Sequence, residues 1–277
     1  MKTFSKHGYG MTNTNTLSIE VDIMRIGLQL YTVRDETERD FVGTLERIAD
    51  MGYEGVELAG YGGLSPDEMK NTLSRLGLAA VGSHISLEQL TDNLDEHIKM
   101  NLAIGSSYLI CPWLPKEQYD SLEALDVTMG KLKQAAERLQ SYGLRLGYHN
   151  HDFEFTTMVE GKTVFERIFD ALPASLLIQE LDVCWVQYSG NKPVEWMEKY
   201  AERLPLVHFK DLARTPEGAP ITVELGKGEL DLTAIAKAAS NIGAEWLIVE
   251  QDVTQRGSLE SVEASLGWIT ANLKGLN

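Results

Sequence analysis

Cysteine, positive charge and long apolar runs are all scarce in this chain of 277 residues. Its two cysteines, Cys111 and Cys184, are far apart and lie in or beside apolar segments, so we expect buried free thiols and a reducing, cytoplasmic environment. Lysine and arginine number 25 against 41 acidic residues, and the formal charge of −16 argues against nucleic acids and anionic membrane surfaces as partners. Since no apolar run approaches the roughly 20 residues that cross a bilayer, we also expect no membrane-spanning segment.

The N-terminal segment also lacks the continuous apolar core of a secretory signal. It is rich in Thr, Ser, Asn and Gly instead. We therefore predict a flexible tail over residues 1–23 and one domain over residues 24–277. A single α/β barrel commonly runs to about 250 residues, so this length requires no second domain.

Eight short segments rich in Leu, Ile and Val predict buried strands. They are Ile26–Leu30, Gly55–Leu58, Ala79–His84, Tyr108–Pro112, Leu144–His149, Leu176–Asp182, Leu206–Lys210 and Leu247–Glu250. Helix-length stretches separate them, and glycines such as Gly52 and Gly77 stand where a left-handed residue would end a helix. The alternation predicts an α/β fold, a single (β/α)8 TIM barrel. A doubly wound sheet is disfavoured because no Gly-rich phosphate loop follows the first strand.

Four acidic or imidazole side chains stand at or just past the ends of late strands: Glu154, Asp182, His208 and Glu250. The C-terminal ends of parallel strands meet on one face of a barrel, and active sites are built on that face. A single carboxylate after a strand often only caps the next helix. Four such groups together favour a shared cation that compensates their charge, and the donor types suit one divalent ion: Mn, Mg, Co or Zn.

Eight motifs follow one another along the chain. They are IGLQLYTVRD (26–35), GVEL (55–58), GSH (82–84), YHNHDFEF (148–155), ELDVCW (180–185), HFKD (208–211), GKGE (226–229) and VEQD (249–252). In this order they resemble the sugar phosphate isomerase/epimerase family, the xylose-isomerase-like TIM barrels. Such relatives include ketose epimerases, hydroxypyruvate isomerase, inosose dehydratase and enzymes acting on 3-keto sugars. The resemblance implies metal-assisted proton abstraction next to a carbonyl group, without specifying a substrate.

The resemblance also implies metal ligands. Asp182, His208 and Glu250 match the Asp, His and final Glu that bind the metal ion in the family. The fourth ligand stays open, because His149 stands where many epimerases have a ligating Glu. Glu154 lies five residues further on, and we favour it because a third carboxylate better balances the charge of a divalent ion.

The remaining candidate residues concern catalysis and substrate binding. In the usual epimerase mechanism two glutamates exchange protons with opposite faces of the substrate, and His149 in place of a Glu argues against that mechanism here. We therefore predict that the acid or base is among His149, His151 and Glu154. Lys210 lies two residues beyond His208 and shares its inward direction on a strand, where it could hold a substrate oxygen or phosphate, or form a salt bridge to a carboxylate. The other predicted substrate-binding residues are Glu57, His84, Trp113 and Trp185.

We therefore predict a metal-dependent isomerase or epimerase whose partner is a small sugar, keto sugar or sugar phosphate. A lyase or dehydratase of the inosose dehydratase or 3-keto-glycoside type is the alternative, because it begins by abstracting the same α proton. A non-catalytic sugar-binding barrel is a further alternative, although Asp182, His208 and Glu250 are all present. Apurinic endonucleases share the barrel, but the charge of −16 disfavours a DNA substrate. Homo-oligomerisation is left open.

Overall fold

The computed structural model describes residues 24–273, and the predicted tail over residues 1–23 lies outside them. The strands, in chain order, are β1 (Arg25–Gln29), β2 (Gly55–Leu58), β3 (Ala79–His84), β4 (Tyr108–Cys111), β5 (Arg145–His149), β6 (Met158–Val159), β7 (Lys162–Thr163), β8 (Leu177–Asp182), β9 (Leu206–Phe209), β10 (Asp211–Arg214), β11 (Pro220–Val223) and β12 (Trp246–Val249). Eight of them form a closed barrel in the order β1-β12-β9-β8-β5-β4-β3-β2, and every neighbouring pair is parallel. The predicted α/β TIM barrel is thus confirmed.

Helices follow the barrel strands and surround them. They are α1 (Arg34–Thr37), α2 (Phe41–Met51), α3 (Pro66–Leu76), α4 (Leu87–Asp92), α5 (Leu94–Ile104), α6 (Leu122–Gln140), α7 (Phe153–Thr156), α8 (Val164–Ala171), α9 (Val183–Tyr188), α10 (Pro193–Lys199), α11 (Leu232–Asn241) and α12 (Ser258–Asn272). The glycines predicted to end α2 and α3 do so, since Gly52 and Gly77 adopt left-handed φ angles of 103° and 69°. Among the described residues, no helix combines the length and apolar character needed to cross a membrane.

The barrel interior is apolar at its N-terminal end. Buried side chains there form a separate core cluster that includes Ile178, Leu206, Trp246 and Ile248. The large indole of Trp246 fits because the opposite residue is Gly55, where an added Cβ would come within 2.7 Å of the ring. Burying side chains of this size stabilises the fold by about 1.5–3 kcal/mol each, which gives the opposite end of the barrel a rigid base.

Two short antiparallel hairpins lie outside the barrel, β6 with β7 and β10 with β11. The second hairpin begins one residue after Lys210, directly at the end of β9. The carboxylate of Asp211 accepts hydrogen bonds from the backbone N–H groups of Gly226, Gly228 and Leu230 and ties the loop after β11 to the barrel. Sequence analysis had not predicted either hairpin.

Candidate metal centre

The inward positions of the late strands change from apolar to charged toward the C-terminal end. Side chains two apart on a strand share a face, so Ile178, Glu180 and Asp182 on β8 all point into the barrel. All three are buried. The same succession runs from Leu206 and His208 on β9 to Lys210 just beyond it, and from Ile248 on β12 to Glu250 and Asp252 beyond its end. The barrel therefore gathers ionisable side chains at one mouth.

Three of these side chains, together with His149 at the end of β5, form a compact donor group at the mouth. His149, Asp182, His208 and Glu250 each offer one donor atom, and the four atoms all lie within 4.8 Å of one another. All four residues are buried, which is unusual for charged groups without compensation. Two imidazoles and two carboxylates are donors that Zn, Mn or Co accept, so the residues fit a divalent metal ion.

The carboxylate of Asp182 is held so that one oxygen faces the donor group. Its Oδ1 accepts hydrogen bonds from the backbone N–H groups of Cys184 (2.9 Å) and Trp185 (3.1 Å), capping α9. Its Oδ2 lies 3.6 Å from His149 Nε2 and 2.9 Å from Lys210 Nζ. A buried oxygen oriented in this way suits a metal ligand.

A second pair of carboxylates lies beneath the donor group and is fully buried. Oε2 of Glu180 lies 2.9 Å from His149 Nδ1, 3.1 Å from His208 Nε2 and 2.9 Å from His84 Nε2. Oε2 of Glu57 lies 2.7 Å from His208 Nε2 and 3.1 Å from His84 Nε2. These two carboxylates therefore contact three imidazoles from three different strands.

Burial and ion pairing act against each other in this cluster. Burial opposes ionisation of Glu57, but His84 and His208 outweigh it and hold the pKa of Glu57 well below its usual range. Burial likewise opposes protonation of His84, yet Glu57 and Glu180 raise its pKa to about 10. Burial and the nearby Glu57 raise the pKa of Glu180, whereas the imidazoles of His208 and His84 act in the opposite direction.

Lys210 brings the positive charge of an ammonium group into the same mouth. The side chain is buried, and Nζ lies 2.7 Å from Glu250 Oε2, 2.9 Å from Asp182 Oδ2 and 3.1 Å from Asp252 Oδ2. Lys210 therefore forms salt bridges with three carboxylates, which is one of the two roles predicted for it from the sequence. Burial raises the pKa of Asp182 to about 6 even though Lys210 and His208 lower it. The same two cations outweigh burial at Glu250 and lower its pKa well below the usual value.

The structure does not bring Glu154 into the donor group. The residue is fully buried on the helical turn α7, where its Oε1 accepts a hydrogen bond from the Tyr148 hydroxyl and its Oε2 accepts one from the backbone N–H of His151, both at 2.8 Å. Burial raises its pKa to about 8, against the opposing effect of these hydrogen bonds. Among the described residues, His149 rather than Glu154 stands with Asp182, His208 and Glu250.

A cavity of about 950 Å³ opens above the donor group. Of the predicted residues, its wall contains His84, His149, His151, Trp113, Lys210 and Glu250. The indole of Trp113 is 51% exposed, so much of it is open to a ligand. Trp185 does not line the cavity but lies behind it, 5.9 Å from the His151 ring. Glu57 also lies below the cavity rather than in its wall.

His151 is an imidazole without a hydrogen-bonding partner at Nδ1 among the described residues. Its ring stacks on Phe153 at 5.8 Å and meets the His149 ring edge-on at 5.2 Å. Burial, and then the charge of Lys210, lower its pKa to about 3, so the ring is neutral. A neutral imidazole beside the donor group can accept a proton.

Sequence reasoning missed three polar residues of the site: Glu180, Asp252 and Gln29. Glu180 and Asp252 each lie two positions from a predicted ligand, so strand periodicity was a signal that could have found them. Gln29 on β1 donates a hydrogen bond from Nε2 to Glu57 Oε2 at 2.8 Å. It carries no comparable signal, because its role depends on closure of the barrel between β1 and β2.

Comparisons with known proteins agree with this architecture. The inosose dehydratase of Geobacillus kaustophilus is 24% identical over 190 residues, and the alignment spans 61% of this chain and 61% of that enzyme, less than two thirds of its length. A sugar phosphate isomerase/epimerase structure from Parabacteroides distasonis shares 24% identity and a TM-score of 0.77, covering 95% of this chain and 99% of the other. An AP endonuclease, family 2, from Brucella melitensis shares 16% identity and a TM-score of 0.68, covering 90% and 99%.

At these identities the two structures show the fold alone, and barrels of this shape carry more than one chemistry. The sequence profile of the Xylose isomerase-like TIM barrel family matches residues 45–272, most of the chain and seven of the eight barrel strands. The chain therefore belongs to the Xylose isomerase-like TIM barrel family.

Proposed function

We propose that the protein is a metal-dependent isomerase or epimerase that removes the proton next to a carbonyl group of a sugar, keto sugar or sugar phosphate. The observation that carries this proposal is the donor group, four buried side chains within 4.8 Å of one another, facing a cavity of about 950 Å³. A concave site with convergent polar groups at the C-terminal mouth of a barrel is the usual setting for catalysis.

His149, Asp182, His208 and Glu250 would hold the divalent ion. A bound divalent ion would supply Lewis acidity and stabilise negative charge that develops on a substrate oxygen. With His149 as the fourth donor, Glu154 is left to its hydrogen bonds with Tyr148 and His151. This assignment replaces the preference for Glu154 that charge balance had suggested.

Two residues of the cavity wall are placed to act on the substrate. His151 lies next to His149 in the cavity wall and is neutral, so it could accept the α proton. The ammonium of Lys210 supplies a positive charge that can hold a substrate oxygen and favour its charged form. Removal of the proton and stabilisation of the resulting charge then involve different groups.

Aromatic side chains at the entrance fit a sugar ring. Trp113 and Tyr31 line the cavity and are 51% and 46% exposed. Aromatic faces of this kind pack against the C–H surface of a carbohydrate while its hydroxyl groups turn to polar neighbours. This favours a carbohydrate over a purely apolar ligand.

A dehydratase is the second candidate, supported by the similarity to inosose dehydratase. Both reactions begin with loss of the α proton, and they diverge in whether a proton returns to the carbon skeleton or a hydroxyl group leaves. An acidic group near the leaving oxygen would be needed for the second outcome. Asp252 lines the cavity next to Lys210 and could neighbour such an oxygen.

The experiment is incubation of the Mn²⁺-loaded protein with ketoses, ketose phosphates and inososes in deuterated water, followed by NMR. We expect deuterium at the α carbon together with an isomerised or epimerised product, and loss of both in Asp182→Ala. An unsaturated product without α-deuterated sugar would favour the dehydratase. Absence of either change with every candidate would contradict the proposal.

A further inference from the structure

We propose that Glu180 is a positioning residue that selects which ring nitrogens of His149 and His208 face the metal ion. This inference rests on the metal-dependent function proposed above. Glu180 precedes Asp182 by two positions on β8, so both carboxylates point into the barrel. Asp182 belongs to the donor group, and Glu180 lies beneath it.

The geometry around Glu180 Oε2 carries the inference. His149 Nδ1 lies 2.9 Å from this oxygen and His208 Nε2 lies 3.1 Å from it. His84 Nε2 approaches the same oxygen at 2.9 Å. A carboxylate oxygen only accepts hydrogen bonds, and the other close neighbour of His208 Nε2 and His84 Nε2 is a carboxylate oxygen of Glu57, so each of these three nitrogens carries a proton.

The opposite nitrogens then face the donor group. With its proton on Nδ1, His149 keeps a lone pair on Nε2, which lies 3.6 Å from Asp182 Oδ2. His208 Nδ1 lies 2.7 Å from Glu250 Oε2, and a metal ion bound there would take the place of the proton on Nδ1 while Nε2 keeps its own. One carboxylate thus directs two imidazoles toward the same pair of ligand carboxylates, although the two rings use different nitrogens.

Further contacts hold the imidazole rings around Glu180 in place. Glu57 Oε2 lies 2.7 Å from His208 Nε2 and 3.1 Å from His84 Nε2, and it accepts a hydrogen bond from Gln29 at 2.8 Å. The rings of His84 and His208 are stacked, with an angle of 12° between their planes. Carboxylates that orient imidazole ligands typically change metal affinity by 10- to 100-fold when they are removed.

The cluster also contains a rival arrangement. His84, His149, Glu180 and His208 offer donor atoms that lie within 4.8 Å of one another. An ion bound there would make Glu180 a ligand and would be coordinated through His149 Nδ1 and His208 Nε2, which are the two nitrogens that face Glu180. The identity of the coordinating nitrogens therefore separates a positioning role from a ligand role.

The decisive measurement uses the wild-type protein of full length, labelled with ¹⁵N-histidine and loaded with ¹¹³Cd²⁺. We expect coupling of cadmium to Nε2 of His149 and Nδ1 of His208, with N–H protons on the other two nitrogens. Coupling through His149 Nδ1 and His208 Nε2 would overturn the inference. This spectroscopic result requires no substitution, so it stands even if a variant fails to fold.

Glu180→Gln supplies the second measurement, since it replaces a charged acceptor with a neutral amide that has a single accepting oxygen. We expect Cd²⁺ affinity to fall roughly 10- to 100-fold. Glu154→Gln is the matched control, because Glu154 is an equally buried carboxylate that contacts neither His149 nor His208, and its affinity should stay at the wild-type value. Unchanged affinity in Glu180→Gln would overturn the inference alone. No binding of Cd²⁺, Mn²⁺ or Zn²⁺ by the wild-type protein would overturn the metal-dependent function and this inference together.

Discussion

Lys210 and Glu250 form an ion pair inside the barrel mouth, with Nζ 2.7 Å from Oε2. The same ammonium group lies 2.9 Å from Asp182 Oδ2, so it contacts two of the four donor residues. A divalent ion held by these carboxylates would be repelled by the neighbouring ammonium. Lys210 is therefore expected to weaken metal binding while it favours negative charge on the substrate.

Substitution of Lys210 by Met should separate these two effects. One pair of unit charges about 4 Å apart interacts by about 4 kcal/mol at an effective dielectric constant of about 20, and about 1.4 kcal/mol is tenfold in affinity, so we expect Mn²⁺ affinity to rise by roughly 100- to 1000-fold. We expect kcat/KM to fall by roughly 100-fold, the effect of losing one stabilising group for developing charge. Metal titration and steady-state kinetics measure both, with the exposed Lys133→Met on α6 as the control. Weaker metal binding in Lys210→Met would contradict this interpretation.

The fourth metal ligand can be tested by comparing His149→Ala with Glu154→Gln. We expect His149→Ala to lose most of its metal, as Asp182→Ala does, because each removes a donor atom from the group. Glu154→Gln should keep the metal content of the wild-type protein. Elemental analysis after dialysis gives the metal-to-protein ratio. Full metal content in His149→Ala with loss in Glu154→Gln would restore the assignment that the sequence favoured.

His151 is expected to act in proton transfer without holding the metal. His151→Gln should keep the metal content while the rate of α-proton exchange falls by roughly 100- to 10,000-fold, the usual contribution of a general base. Solvent deuterium incorporation measures the exchange, and elemental analysis measures the metal. A variant that exchanges protons at the wild-type rate would remove His151 from the mechanism.

Glu154 should make the stability of the protein depend on pH. Its pKa is about 8 in the folded protein and 4.5 ordinarily, so the unfolded chain binds fewer protons at this group between these values. Its contribution to stability is then fully present below about pH 4.5 and is lost as the pH rises through about 8, by a few kcal/mol in total. Urea unfolding in the presence of a chelator at pH 5 and pH 8.5 should show a larger decline for the wild-type protein than for Glu154→Gln. Equal declines would show that Glu154 is not buried in its neutral form.

The barrel strands were predictable because apolar runs and helix-ending glycines are local signals. The first strand, for example, was expected over Ile26–Leu30 and is found over Arg25–Gln29. The β10–β11 hairpin was not predicted, because its strands are only partly buried and carry no continuous apolar run. Its position depends on the contacts of Asp211 with a loop that lies 15 to 19 residues further along the chain.

Prediction of the site was less complete than prediction of the fold. The structure brings Asp182, His208 and Glu250 together, as strand-end positions suggested. It leaves Glu154 apart, because after His149 the chain turns out of the barrel and α7 directs the Glu154 side chain to the Tyr148 hydroxyl. Counting charges along the sequence could not reveal this turn, whereas strand periodicity alone would have pointed to Glu180.

The hydrogen bond from Gln29 to Glu57 has a consequence for the order of folding. It links the first barrel strand to a carboxylate that contacts His208, while the donor residues themselves come from β5, β8, β9 and the end of β12. All four donors and Glu180 come from the C-terminal half of the chain, whereas Glu57 and Gln29 come from its N-terminal half. Full metal affinity should consequently arise only once the N-terminal strands have closed the barrel, so the last increase in affinity would report the closing step of barrel assembly rather than the formation of individual strands.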